Sequence, residues 1–156
     1  MKTLLVAGHP DLSQSVVNAA ILDELARAFP SMTIRRLCQT APGGVFDIPA
    51  EQAALAEADL IVWQFPFHWY ALPWLMKKWL DEVFVHGFAH GTDAKLPGKK
   101  LLVSFTTGAP AAAYTGLTRA KESAVIAAEE NVFRGAVRLC TDRVSGLRKL
   151  NGISGD

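Results

Sequence analysis

Cysteine is scarce in this sequence: Cys38 and Cys140 are the only two in 156 residues. A disulfide scaffold needs more, and no C-x-x-C pair is present for redox or zinc chemistry. Two sparse thiols fit a reducing cytoplasm, where each packs as a small hydrophobe. Charge of one sign is also lacking. Sixteen Lys and Arg face fifteen Asp and Glu, for a formal net charge of +1, which excludes a strongly basic nucleic-acid footprint or a charged membrane patch. No apolar run approaches the ~18 residues that a spanning helix needs. The opening MKTLLVAGHP is too short for a signal peptide, because His9 and Pro10 end its apolar run. Both phosphate fingerprints, G-x-G-x-x-G and G-x-x-x-x-G-K-[ST], are absent, which argues against a Rossmann nicotinamide protein or a P-loop nucleotidase.

What is present is apolar and periodic. Half the residues are hydrophobic, too many for a disordered chain, and the length suits one domain. Residues 3–7 (TLLVA), 32–37, 60–65 and 101–105 are short apolar runs of strand length, and 137–141 is a candidate fifth. Between them lie helical patterns. Residues 16–29 place Val17, Ile21, Leu25 and Ala28 on one side, with Ser15 as N-cap and Pro30 beyond the end. Residues 50–57 form a short helix. After Pro73, PWLMKKWLDEVF is cleanly amphipathic, and 117–133 reads as a further helix. Strands alternating with helices indicate an α/β fold, a parallel sheet covered on both faces.

In an open parallel sheet, ligands bind beyond the carboxyl ends of the strands. Three segments follow strand ends: GHPDLSQSVVN, PFHWY and TTGAPAAAY. The fold therefore predicts that they meet along one edge. The first feeds a helix N-terminus, whose free N–H groups and dipole suit a phosphate. His9, Ser13 and Ser15 can add donors, and Asn18 lies one turn in. The plain alternative is that Ser15 only caps the helix and His9 only sits on a turn; spacing leaves both open. The second segment holds Phe65, Phe67, Trp69 and Tyr70, with Pro66 among them. Such a cluster can wall a flat heteroaromatic ring, or can be ordinary core. In the third, Gly108 lets backbone N–H groups approach a ligand, and Tyr114 brings a phenolic hydroxyl. His68, His86 and His90 show no zinc-ligand spacing, and no G-x-S-x-G elbow occurs; no metal is expected.

At these loops the sequence resembles the flavodoxin-like NAD(P)H:quinone oxidoreductases, a group that includes DT-diaphorase-type enzymes and the ancillary flavoproteins of glutathione-gated potassium efflux systems. The matching stretches are His9-Pro10 with Ser15–Asn18 (S-V-V-N), residues 50–91 with Q-F-P-x-x-W-Y and P-x-x-x-K-x-W-x-D-x-V-F, and residues 96–114 with TTGA and Tyr114. The resemblance implies a flavodoxin-like doubly wound parallel sheet of five strands with helices on both faces. It also implies a non-covalent flavin, and two-electron, ping-pong reduction of quinones by NADH or NADPH. His9, Ser15, Val16, Val17 and Asn18 are then expected at the flavin phosphate. Pro66, Phe67, His68 and Trp69 border the isoalloxazine, while Thr106, Thr107, Gly108 and Ala109 line its pyrimidine side. Tyr114 matches the family's active-site tyrosine. The short chain resembles the FMN-binding bacterial branch, so FMN is expected rather than FAD. A homodimer with flavin sites at the interface is implied as well. As an alternative, bacterial members also act as regulatory subunits on a potassium-efflux transporter, which would place the protein at the inner face of the membrane.

The chain departs from the family in three places. Ala109 replaces a common glycine. Ala120 stands where diaphorase-type members carry a catalytic histidine, which argues against a Tyr–His proton relay. Residues 134–156 are basic, with Arg134, Arg138, Arg143, Arg148 and Lys149 against Asp142 and Asp156, and they lack an apolar helical stripe. The expected division is a flavin-binding domain over 1–141 and an irregular tail over 142–156, in a chain whose closing helix is missing or altered and whose catalysis would then be impaired.

Overall fold

The computed structural model of the chain describes residues 1–69 and 71–108. Four parallel strands form one sheet: β1 (Thr3–Ala7), β2 (Thr33–Arg36), β3 (Leu60–Pro66) and β4 (Lys100–Thr106), in the order β2-β1-β3-β4. The reversal of winding between β1 and β3 makes that edge the ligand-binding edge of such a sheet. Register is continuous across it: Ala7 lies opposite Gln64, and Pro66 opposite Thr106. The expected helix at 117–133, the fifth strand at 137–141 and the tail at 142–156 lie outside the described residues.

Helix α1 (Val17–Ala28) follows β1; a single turn α2 (Leu37–Thr40) follows β2; α3 (Ile48–Glu57) and α4 (Trp74–Val83) flank β3. The second strand is shorter than its apolar run because Leu37 turns inward to start α2 and is fully buried. α3 begins two residues before the predicted 50–57. Asp47 caps it by accepting the Ala50 N–H at 3.1 Å, and Pro49 occupies its first turn, where no N–H is needed. The APGG segment is a 3-10 turn over Pro42–Gly44.

Strand alternation divides the core. Leu4, Val6, Ile61, Trp63, Phe65 and Leu101 face α3 and α4, meeting Leu55, Leu75, Met76, Trp79 and Val83. Leu5, Ala7 and Val62 face α1 and meet Leu22. The α4 face carries the larger cluster, and each of its buried aliphatic side chains contributes about 1.5–3 kcal/mol. Gly8 belongs to this packing. A Cβ there would lie 2.7 Å from Met76 Cβ, so only glycine lets β1 run out beneath α4.

Candidate functional site

The three loops predicted to converge do so, to the extent that they are described. β1, β3 and β4 end side by side, and hydrogen bonds continue the ladder into the loops. Gly8 N–H donates to the Gln64 carbonyl at 2.8 Å, and Phe67 N–H to the Thr106 carbonyl at 2.8 Å.

Ser15 has extended backbone angles (φ −110°, ψ 119°), and its Oγ accepts the Asn18 N–H at 3.1 Å. That is N-cap geometry, as expected. Val16 and Val17 are exposed, and among the described residues their N–H groups have no partner. The helix start thus presents unpaired donors to solvent. Ser13 does not: its hydroxyl and N–H both bind Asp11 Oδ1, at 2.6 and 2.9 Å. Those bonds hold the Asp11 carboxyl below its ordinary range.

His9 Nδ1 accepts the Asp11 N–H at 3.1 Å. Neutral His9 therefore carries its proton on Nε2, the nitrogen left to donate. Burial, and next the imidazole of His68, push the His9 pKa below its ordinary value; Asp11 pulls weakly the other way. The two histidines come from different loops, so the first and second loops approach each other closely enough to interact electrostatically.

Pro66 is buried, Phe67 is half-buried, and His68 is exposed. His68 and Ala71 exchange two backbone hydrogen bonds, of 3.1 and 2.9 Å, closing a tight turn. Trp69 at its tip has φ 47° and is 94% exposed. Left-handed backbone at a tryptophan costs energy and is held by its surroundings. Phe105 reaches the same end of the sheet, 5.1 Å from the Phe67 ring and 6.0 Å from Phe65. Thr106 and Thr107 follow, and among the described residues no heavy atom beyond its chain neighbours lies within 4 Å of a Cβ built at Gly108. Ala109 and Tyr114 lie outside the described residues.

Asn18 is placed differently from a simple phosphate contact. Its side chain is 4% exposed and runs inward. Oδ1 accepts from Gln64 Nε2 at 2.9 Å, and Nδ2 donates to Thr106 Oγ1 at 2.9 Å. One residue of α1 thus ties the ends of β3 and β4. Gln64 was not singled out from the sequence. The signal was there: a lone amide inside the apolar run LIVWQFP.

Two other features lie apart. A cavity of about 420 Å³ opens at the amino-terminal edge of the sheet, lined by Lys2, Ser31, Thr33 and Glu57, with Lys2 paired to Glu57 at 3.5 Å. Parallel sheets do not place their ligands at that edge. The His86 and His90 rings sit 5.4 Å apart, but no group of three metal-ligand residues occurs among the described residues.

A family model for the flavodoxin-like fold matches residues 1–140. The chain belongs to the flavodoxin-like family. Its resemblance to the quinone oxidoreductases of that family is borne out. A solved general stress protein 14 from Treponema denticola, in complex with FMN, is 38% identical over 74% of this chain and 67% of its own, with a TM-score of 0.71. A chain in the crystal structure of a thermophilic tryptophan halogenase from Streptomycin violaceusniger is 45% identical over 69% of this chain and 62% of its own, with a TM-score of 0.65. An NADPH-quinone reductase from P. pentosaceus is 29% identical over 79% and 76%, with a TM-score of 0.67. This chain thus spans about two thirds of the length of the first two. These neighbours share the sheet under different names, and a fold does not by itself fix the chemistry.

Proposed function

We propose that this flavodoxin-like protein is an FMN-dependent NAD(P)H:quinone oxidoreductase. The observation that carries the reading is the convergence of three loops on one rim, joined through Asn18. The residues present fit a flavin mononucleotide. The exposed start of α1 offers the Val16 and Val17 N–H groups, with Ser15 Oγ beside them and His9 Nε2 on the adjoining loop. These are donors of the kind a phosphate takes. The apolar wall of Phe67 and the exposed Trp69 indole suit a flat ring. At Gly108 the lack of a side chain permits close backbone approach. The FMN complex of the Treponema relative and the name of the P. pentosaceus relative support this reading.

When bound, FMN supplies two-electron transfer from a nicotinamide to a quinone. This chain's residues bind and orient. Val16, Val17 and Ser15 hold the phosphate. Pro66–Trp69 set one side of the ring. Thr106, Thr107, Gly108 and Ala109 are assigned to its polar edge, where N–H donors stabilise negative charge as preorganised dipoles. Tyr114 is assigned to the acceptor oxygen of the quinone. The exposed Trp69 is assigned to a homodimer interface next to the ring.

The test is direct. The purified protein, reconstituted with FMN and desalted, is expected to be yellow. Anaerobic NADPH or NADH should bleach it, and a quinone should restore the colour. Failure to retain FMN overturns the reading. Retention without bleaching leaves a flavin-binding regulatory subunit instead. Tyr114→Phe should lower quinone turnover while FMN stays bound; unchanged turnover removes the tyrosine's role.

A further inference from the structure

The buried chain from Gln64 through Asn18 to Thr106 has a direction. Gln64 Nε2 donates to Asn18 Oδ1, and Asn18 Nδ2 donates to Thr106 Oγ1, each at 2.9 Å. Amide oxygens and nitrogens are told apart by such a network, and here one arrangement is favoured. Turning a single amide would set donor against donor or acceptor against acceptor. Turning both would leave Gln64 Nε2 buried without an acceptor. In the observed arrangement the orphan is Gln64 Oε1, which has no partner among the described residues, and Gln64 is 1% exposed. An under-satisfied buried carbonyl is tolerated more readily than an orphaned N–H.

The consequence lies at the rim end of the chain. Thr106 Oγ is already an acceptor, so its own proton is directed away from Asn18. Polarisation along successive donors strengthens that last O–H. The main-chain N–H at position 18 is the one that the Ser15 cap accepts, at 3.1 Å, so the cap does not depend on the Asn18 side chain. The buried side-chain amide therefore sets the hydroxyl at the end of β4, while the helix start is set by Ser15.

We propose that Gln64 and Asn18 are positioning residues that hold the Thr106 hydroxyl as an outward hydrogen-bond donor to an acceptor oxygen of the flavin. This rests on the flavin reading above. It adds two residues that need not touch the ligand and fixes the polarity of a third.

The experiment is a double-mutant cycle in flavin affinity, read by quenching of flavin fluorescence, with FMN and phosphate-free riboflavin as probes. Thr106→Val should weaken both probes by the same factor, about five- to tenfold, as expected for one neutral hydrogen bond. Thr106→Ser should restore binding. Asn18→Ala should weaken FMN and riboflavin by the same factor, because it removes the side-chain amide that holds Thr106 but keeps the main-chain N–H that Ser15 accepts. In the Asn18→Ala background, Thr106→Val should cost almost nothing more. The proposal is overturned by wild-type affinity in Thr106→Val, by additive losses in the double variant, or by a loss in Asn18→Ala that is confined to FMN. If Asn18→Ala does not fold, Gln64→Met takes its place. The Thr106→Val penalty should then shrink in that background, and an unchanged penalty overturns the proposal. Wild-type protein that binds neither probe overturns the flavin reading and this inference together; wild-type binding with a failed cycle overturns the inference alone.

Discussion

At the scale of single residues, His9 shows how local contacts set chemistry. Partial burial and the neighbouring His68 imidazole disfavour its charged form, so its pKa is lowered from 6.5. The unfolded chain takes up this proton first as pH falls. The sign follows: above about 6.5 His9 has no effect on stability, and below it the folded state is progressively disfavoured until the folded pKa is passed. An NMR titration of the flavin-free protein should place the His9 midpoint below 6.5. A dianionic phosphate beside Nε2 should move it upward when FMN is added. A midpoint at or above 6.5 in the flavin-free protein would refute the assignment. Asp11 orients this ring through its backbone N–H while its carboxylate serves Ser13. Replacing Asp11 by Ala is therefore a change of loop shape more than of charge.

At the scale of elements, one buried carboxylate joins three of them. Glu51 on α3 accepts from the Arg35 guanidinium of β2 through Oε1, and from Trp79 Nε1 of α4 at 3.0 Å through Oε2. Its side chain is 3% exposed against 25% for Arg35, so the pair is largely desolvated. Removing one partner of such a pair leaves the other uncompensated. Glu51→Ala should destabilise the fold by about 3 kcal/mol in urea unfolding. Surface pairs on α4, such as Lys77 with Asp81, are exposed on both sides and should contribute under about 0.5 kcal/mol. Equal effects for Glu51→Ala and Asp81→Ala would refute this ranking. The Trp69 turn is the opposite kind of element. Its ring is exposed and its backbone strained, so stability does not explain it; the flavin site proposed above would give it a use.

At the scale of the whole molecule, several exposed apolar groups belong to the loops of the proposed site. Trp69 and Val16 are open to solvent, with Trp74 and Val45 also exposed. A monomer rarely leaves large aromatic surface uncovered without a use for it. The homodimer proposed here accounts for the indole at the rim. Sedimentation at micromolar concentration should give twice the chain mass, and Trp69→Ser should shift the equilibrium toward monomer without lowering the melting temperature of that monomer. A wild-type protein that stays monomeric at high concentration would remove the dimer. No helix among the described residues is long and apolar enough to cross a membrane.

Much of this was legible in order along the chain. The runs Thr3–Ala7 and Leu60–Pro66 are nearly continuous apolar stretches, as strands buried on both faces must be. α4 announced itself through Leu75, Met76, Trp79 and Val83 at helical spacing, and Ser15 through cap chemistry. These features depend on neighbours three or four positions away, so the sequence alone determines them. The convergence of the three loops also followed, because parallel strands all end at the same edge. What the tertiary structure decided was which polar groups face inward. Asn18 reads from spacing as a ligand contact, and Gln64 reads only as the first letter of a motif, with no role. Their amides meet across 46 residues and reach Thr106 across 88. Desolvation forces such groups to find one another once buried, and no local pattern records which partner the fold will bring.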